Sequence, residues 1–184
     1  MKTQLIDKEI KYEGWQLAPH WIYKNFKMQG DAIVAFIGEC EVKLTEMVDI
    51  EDVINNEPIY SKSMLSFISE QFNIGLVEGV FRQRLLICII KEALEKRGFK
   101  IFRSGDDLFF EGKKLTVSIA TKSVNSILIH TGINIDSTGA PVKASGLISE
   151  LKITDIKELA QEILKNYSEE IDDIVLASTK VRGV

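Results

Sequence analysis

Apolar residues recur along the chain in two patterns, one typical of buried strands and the other of amphipathic helices. The segment "AIVAFIGECEV" (32–42) is continuously apolar and β-branched at its start. This pattern predicts a strand covered on both faces, with a break or bulge at Gly38. The segment "EGVFRQRLLICIIKEALEKRG" (78–98) has apolar residues at helical spacing, cations in its last turn and a final Gly98. It predicts the clearest helix of the chain.

Two longer segments and one short segment are also predicted to be helical. "SKSMLSFISEQF" (61–72) opens with a serine, a preferred helix cap, and gathers five apolar residues on one broad face. "ITDIKELAQEILKNYSEE" (153–170) is amphipathic and has Thr154 as its cap. The short segment "APHWIYKNF" (18–26) tolerates Pro19 because a proline in the first turn removes no helical hydrogen bond.

Strand-like segments dominate the stretch after the clearest helix. "FKIFRS", "LFF", "KLTVSIATK" and "SILIHTGINI" are separated by short turns, which predicts an antiparallel meander. A short edge strand is predicted at "QLID" (4–7). Runs of strands beside separate helices indicate an α+β fold, a mostly antiparallel sheet packed by helices. We find no internal repeat and no linker rich in Pro, Gly or Ser, so residues 1–184 are predicted to form one domain.

The last hairpin of this meander gathers polar residues on one predicted face. Alternation along its two strands places on that face Lys114, Thr116, Ser118, His130, Gly132 and Asn134. A three-residue loop (122–124) would join the two apolar faces. The residue pairs predicted from that loop are Thr116 with His130, Lys114 with Gly132, and Ser118 with Leu128.

Two interpretations of this polar face remain open from periodicity alone. Antiparallel sheets commonly have one face in contact with water, where Lys, Thr and Ser are ordinary residues. The same face is also suited to be one wall of a binding site. In that case the missing side chain of Gly132 would let a ligand, or the stem of Lys114, lie close to the backbone.

Composition and charge exclude several classes of function. The chain of 184 residues has 45% hydrophobic and 27% charged residues, which is ordinary for a soluble globular protein. Its net charge of -4 argues against non-specific nucleic-acid binding, which needs a basic face. No apolar stretch is long enough to span a bilayer, and the first residues lack the apolar core of a secretory signal. We therefore expect a cytoplasmic protein without nucleic-acid or membrane partners.

The remaining polar and thiol groups give weaker signals. Cys40 and Cys88 lie in apolar runs without metal-ligand spacing, so they are interpreted as buried thiols in a reducing compartment. The acidic group Asp49, Glu51 and Asp52 is more typical of a solvated turn or a helix start than of a metal site, and no metal site is predicted. An exposed sheet edge would allow a homodimer.

One stretch resembles the signature of the biotin and lipoate protein ligases. "GDDLFFEGKKLTVSIA" followed by "GINID" has an acidic pair, a short strand, a glycine turn, a basic pair and a later Gly-Ile-Asn strand. The match covers roughly residues 103–136. More broadly, phrases such as "GDAIVAFIGECEV" and "MVDIEDV" resemble a small archaeal family of unknown function with that ligase-like fold, which is shared with class II aminoacyl-tRNA synthetases.

The resemblance implies a fold and a set of roles. It implies a ligase-like catalytic domain that activates or transfers a small carboxylic acid, with ATP and Mg²⁺ as candidate cofactors. Lys114 would match the invariant lysine of the ligases and stabilise negative charge on the acyl group. Asp107 would orient that lysine or hold Mg²⁺, and His130 or Asn134 would position the ligand. Arg103 and Asp106 are candidate contacts to the substrate or the nucleotide.

The chain also departs from the ligase pattern. Asp106 stands where biotin ligases have asparagine, and Val117 stands where they have glycine. The glycine- and arginine-rich loop of those enzymes is absent. A second hypothesis is therefore a catalytically silent domain that binds a small ligand or assembles with a partner. The residues themselves leave the cofactor, the substrate and the acceptor open.

Overall fold

A five-stranded sheet forms the centre of the computed structural model, which describes residues 1–183. The strands are β1 (Lys2–Leu5), β2 (Ala32–Val42), β3 (Ile59–Phe72), β4 (Phe102–Ser104), β5 (Asp107–Phe110), β6 (Lys113–Lys114), β7 (Thr116–Lys122) and β8 (Ser126–Asp136). The helices are α1 (Trp21–Phe26), α2 (Ile50–Asn55), α3 (Leu76–Lys96) and α4 (Ile156–Thr179). A single 3-10 turn covers Leu44–Glu46. None of the helices within residues 1–183 has the length and hydropathy required to cross a membrane.

The order of the strands in the main sheet is β1-β2-β3-β8-β7. Only β1 runs parallel to its neighbour, and the other pairs are antiparallel. Strands β4, β5 and β6 form a separate small antiparallel sheet. The predicted α+β class with a mostly antiparallel sheet is therefore confirmed, and the predicted meander is divided between two sheets.

The central strand β3 corrects one prediction, because residues 61–72 form a strand and not a helix. Leu65 and Phe67 face the helices, whereas Met64 and Ile68 face the opposite side, and all four are buried. A strand with both faces buried has apolar residues at consecutive positions, so it lacks the alternation that identifies a half-buried strand. The same run of residues therefore also fits one broad face of a helix.

The sheet separates two apolar clusters. Helices α3 and α4 cover one face with buried side chains that include Ile87, Ile90 and Ile163. The other face packs against the N-terminal segment and α1, through residues such as Trp21 and Phe36. Each buried aliphatic or aromatic side chain contributes about 1.5–3 kcal/mol of transfer free energy, so both faces hold the sheet in place.

The other predicted helices are present in the structure and differ from the predictions mainly at their ends. The clearest helix is confirmed as α3. Helix α4 begins at Ile156 with Asp155 at the cap position and no side-chain cap hydrogen bond, so the predicted Thr154 cap is wrong. Helix α1 begins only at Trp21, because His20 has a left-handed backbone conformation with φ of 62°. The acidic segment forms α2, and Asp49 accepts hydrogen bonds from the first backbone N–H groups of that helix, as predicted for a helix start.

The predicted irregularity at Gly38 is confirmed, since the β2–β3 register shifts between Gly38 and Cys40. The structure also supplies its reason. A Cβ atom at Gly38 would lie 2.0 Å from the carbonyl oxygen of Ile10. The segment around Ile10 runs along β2 and places Tyr12 beside Cys40. Gly38 thus permits the close backbone approach that brings Tyr12 over the sheet.

Replacement of Gly38 by alanine tests this close approach. We expect Gly38→Ala to lower the free energy of unfolding by about 1–3 kcal/mol, the usual cost of overpacking, because backbone atoms must move. Urea unfolding followed by circular dichroism measures this change. The matched control is Gly75→Ala, since a Cβ there meets no atom within 4 Å. Equal effects of the two substitutions would contradict the steric explanation.

Candidate functional site

A cavity of about 310 Å³ opens beside the sheet, on the face opposite α3 and α4. Strands β7 and β8 contribute the floor through Val117, Ile119 and His130. The walls come from the N-terminal segment, from the connection between β2 and β3, and from the segment after β8. Of the predicted site residues, the cavity is lined by Asp106, Asp107, Lys114, Ser118, His130 and Asn134.

The hairpin formed by β7 and β8 has a different register from the one predicted. The structure pairs Ser118 with Thr131 and Ile119 with His130. None of the three predicted pairs occurs in this register. The reason is the turn, because four residues (123–126) and not three separate the paired residues Lys122 and Ile127. The Ser123 hydroxyl accepts hydrogen bonds from backbone N–H groups inside this turn and closes it.

The changed register gives Thr116 and Ser118 structural contacts on the helix side of the sheet. Thr116 is completely buried, and its hydroxyl oxygen accepts a hydrogen bond from the Leu108 backbone N–H at 2.8 Å. The Ser118 hydroxyl lies 2.8 Å from the Thr131 hydroxyl. Thr116 joins the small sheet to the main sheet and lies outside the cavity lining, whereas Ser118 reaches the cavity edge.

Gly132 also differs from its predicted use. A Cβ atom at Gly132 would lie 2.2 Å from the sulfur of Met64 on β3. The space above this glycine is thus occupied by a methionine side chain, and neither a ligand nor the stem of Lys114 lies there. Gly132 is absent from the cavity lining within the described residues.

Lys114 lies where the chain leaves the small sheet and enters the main sheet. Its backbone N–H donates to the carbonyl of Lys143 at 3.0 Å, and its carbonyl accepts from the Ser145 N–H at 2.9 Å. Its Nζ atom lies 3.0 Å from Oδ2 of Asp107, and both side chains are about one third exposed. The structure therefore brings Lys114 and Asp107 together at the cavity wall, with the lysine backbone fixed on both sides.

Burial makes ionisation of two carboxylates near Lys114 less favourable. Burial raises the pKa of Asp107 above its usual value, and the attraction of Lys114 only partly opposes this effect. The pKa of Asp52 is also raised, first by burial and then by the nearby charge of Asp49, although Lys114 lowers it. Ionised Asp52 and Asp107 are therefore less stable here than in water.

Asp106 is held by a residue that the sequence analysis did not identify. Gln83 on α3 is buried, and its amide nitrogen donates to Asp106 Oδ2 at 2.8 Å and to the Ser118 hydroxyl at 3.0 Å. A glutamine on the buried face of the clearest helix was the available signal for this contact, since buried polar groups need partners. Gln83 fixes the orientation of Asp106 at the edge of the cavity.

His130 is buried and stacks on Tyr12, with ring centroids 3.8 Å apart and an interplanar angle of 14°. Its Nε2 atom lies 3.4 Å from the Ser66 hydroxyl oxygen. Burial lowers the pKa of His130 to about 3, so the ring is neutral near neutral pH. This histidine is a neutral part of the cavity floor, and its ring packs against Tyr12.

The remaining candidate residues are Arg103, Asn134 and the two cysteines. Arg103 is exposed, and its guanidinium donates to the Gly105 carbonyl at 2.6 Å instead of reaching the cavity. Asn134 lines the cavity, and its amide nitrogen lies 3.5 Å from the Lys114 carbonyl. Both cysteines are free. Cys40 is buried as predicted, and burial raises its pKa to about 12, which makes its thiol unreactive, whereas Cys88 is only partly buried, so its predicted burial is wrong. No cluster of three His, Cys, Asp or Glu residues within positions 1–183 could hold a metal ion.

The chain is similar to archaeal proteins along nearly its whole length. The family model described as "Domain of unknown function (DUF366)" matches residues 1–182. The uncharacterized protein MJ0805 of Methanocaldococcus jannaschii is 41% identical over 180 residues, which are 95% of this chain and 81% of that protein. A solved protein of unknown function from Pyrococcus horikoshi has a TM-score of 0.94 at 39% identity, with 100% of this chain and 99% of that chain covered.

More distant structural similarity identifies the fold. Biotin protein ligase from Aquifex aeolicus, in complex with biotin and ATP, has a TM-score of 0.58 at 18% identity, covering 92% of this chain and 70% of that chain. Lipoate-protein ligase A bound with ATP has a TM-score of 0.55 at 13% identity, covering 94% and 86%. At such identities the similarity concerns the fold alone. The predicted ligase-like fold is thus confirmed.

The packing of Met64 over Gly132 can be measured with a double-mutant cycle. We expect Gly132→Ala to lower the free energy of unfolding by about 1–3 kcal/mol, because the added methyl group meets the methionine sulfur. In a Met64→Ala background the same substitution should cost less, since the space is then vacant. Urea unfolding of the four proteins gives the coupling free energy. Additive effects would show that Met64 does not occupy this space.

The raised pKa of Asp52 predicts a pH-dependent change in stability. Because ionisation of Asp52 is less favourable in the folded protein, Asp52→Asn should raise the free energy of unfolding at about pH 7. The gain should vanish at about pH 3, where the carboxyl group is protonated in both states. Denaturant unfolding at both pH values measures it.

Asp136→Asn is the control of opposite sign for this experiment. Hydrogen bonds from Thr138 lower the pKa of Asp136 to about 2, so its stabilising contribution is present at neutral pH and is lost as the pH falls. Asp136→Asn should therefore lower stability at neutral pH. A loss of stability with Asp52→Asn as well would show that Asp52 is favourably paired.

Proposed function

The chain belongs to the family described as Domain of unknown function (DUF366), and from its ligase-like fold and its cavity we propose that it transfers a small acyl group. The protein would bind a small carboxylic acid, or its activated derivative, in the cavity and pass the acyl group to an acceptor. The donor would be an already activated acyl compound such as a thioester.

One observation carries this proposal: a lysine held by a carboxylate at the wall of a cavity with a partly apolar floor. The ammonium of Lys114 lies 3.0 Å from Asp107, and Val117 and Ile119 line the floor. The apolar floor suits the hydrocarbon part of an acid, because burial of apolar surface is favourable. The ammonium suits its carboxylate, or the oxyanion that forms when an acyl carbon is attacked.

The roles of the residues in transfer follow from these positions. A nucleophile on the acceptor attacks the acyl carbon and forms a tetrahedral intermediate with a negatively charged oxygen. Lys114 stabilises this oxygen, and Asp107 holds the ammonium in place. Collapse of the intermediate breaks the bond to the leaving group of the donor, for a thioester the thiolate, which takes up the proton that the nucleophile releases. His130 is buried and neutral, so it lines the cavity without adding a charge near the intermediate.

The residues of the cavity do not fit ATP and Mg²⁺, which the fold neighbours suggest as cofactors. Seven carboxylates and one lysine line the cavity, so a triphosphate would meet strong repulsion. The described residues offer no ligand cluster for a metal ion, and Arg103 lies elsewhere. The proposed transfer therefore uses no nucleotide. The absence of the glycine- and arginine-rich loop of the ligases favours the second candidate function, a domain that binds a small ligand without catalysis.

Ligand binding to Lys114 variants tests the proposal. Isothermal titration with hexanoate, octanoate, lipoate and biotin should identify an acid that binds the wild-type protein. Lys114→Ala should raise its dissociation constant about 10- to 100-fold, because a hydrogen bond between charged groups is lost. The matched control is Lys113→Ala, since that neighbouring lysine lies outside the cavity lining. Equal effects of the two variants, or no binding by folded protein, would contradict the proposal.

Catalytic assays separate the two candidate functions. With the thioester of the acid that binds and an amine acceptor, transfer that disappears in Lys114→Ala would support the acyltransferase. Binding without transfer would support the silent ligand-binding domain. Exchange of pyrophosphate into ATP that depends on the acid would instead show adenylation and would overturn the proposal that the donor arrives already activated.

A further inference from the structure

The negative charge around the cavity weakens the binding of a ligand that is only an acid. The seven carboxylates belong to Glu46, Asp49, Glu51, Asp52, Glu57, Asp106 and Asp107. The single cation is Lys114, and Asp107 already forms an ion pair with it. A ligand with only a negative charge would bind at Lys114 against this surrounding field.

The inner carboxylates matter most, because solvent screens the exposed ones. Glu46, Glu51 and Glu57 are exposed. Asp52, Asp106 and Asp107 are half-buried. Burial is the main reason why the pKa of Asp52 is raised, and the like charges on Asp49, Glu57 and Asp107 raise it further, whereas Lys114 lowers it. A second positive charge in the cavity would relieve this repulsion.

Tyr12 provides an independent indication that the cavity holds a polar ligand. Its side chain is 3% exposed, and its ring is fixed against His130. No hydrogen-bond partner for its hydroxyl lies among residues 1–183, and since no wholly shielded side-chain N or O atom of these residues lacks a partner, the hydroxyl keeps some exposure. Tyr12 lines the cavity, so its hydroxyl is available to form a hydrogen bond with a polar atom of a ligand.

We propose that the ligand is a carboxylic acid that also bears a protonated amine, with its carboxylate at Lys114 and its ammonium group between Asp52 and Asp107. The Tyr12 hydroxyl forms a hydrogen bond with a polar atom of the same molecule, as donor or as acceptor. This inference rests on the proposed function, because it assumes that the carboxylate or acyl group binds at Lys114. A metal ion does not explain the carboxylates, since no cluster of three ligands exists in residues 1–183.

Four six-carbon probes test the proposal by isothermal titration: hexanoate, norleucine, ε-aminocaproate and hexylamine. We expect at least one of the two amino acids to bind about 10- to 100-fold more tightly than hexanoate, which is the range for a hydrogen bond to a charged group. Asp52→Asn should remove most of this preference and strengthen hexanoate binding, because one repelling carboxylate is lost. The control variant is Glu51→Gln, an exposed carboxylate on the same helix. Tyr12→Phe should weaken the binding of the preferred ligand, and circular dichroism verifies that the variant is folded.

The outcomes distinguish this inference from the proposed function. Hexanoate binding as tightly as both amino acids would overturn the inference and leave the acid site at Lys114 intact. Hexylamine binding as tightly as the amino acids, without dependence on Lys114, would overturn both. The same preference in Asp52→Asn as in Glu51→Gln would show that Asp52 does not receive the amine and would overturn the assignment. No binding by any probe to folded protein would overturn the inference together with the function on which it rests.

Discussion

Burial of β3 on both faces is the constraint on which the rest of the structure depends. This strand pairs with β2 on one side and β8 on the other, and helices cover one of its faces while the N-terminal segment covers the other. Neighbouring residues of β3 therefore belong to different clusters. Leu65 and Phe67 support the helices, whereas Met64 and Ser66 lie next to Gly132 and His130. The sheet thus separates a packed helical layer from a layer that contains a cavity.

The sequence predicted those elements that have one clear apolar pattern. Strand β2, its irregularity at Gly38 and helix α3 were predicted because continuous β-branched runs and helical spacing are strong local signals. Strand β3 was missed because both of its faces are buried, so apolar and polar residues do not alternate along it. The β7–β8 register was missed for a different reason. A serine side chain closes a four-residue turn there, and the apolar pattern of the strands contains no information about that contact.

The candidate site was predictable only where its residues are close along the chain. Asp107 and Lys114 are separated by one small hairpin, so sequence similarity identified both of them. Tyr12 and Asp52 come from distant segments, and only the folded sheet brings them to the same cavity. The predicted polar face is divided between the two sides of the sheet. His130 and Asn134 are buried on the cavity side, whereas Thr116 is buried on the side that packs against the helices.

The backbone contacts of Lys114 connect the residue that carries the ammonium to one part of the cavity wall. Residues 143 and 145 hold the lysine backbone by hydrogen bonds, and their neighbours Pro141, Val142 and Ala144 line the cavity. The backbone that carries the ammonium and this part of the wall are therefore joined by the same two hydrogen bonds. In the proposed function, an occupant that displaced this segment would also displace the Lys114 backbone. The width of this part of the cavity and the position of the charge thus depend on the same contacts.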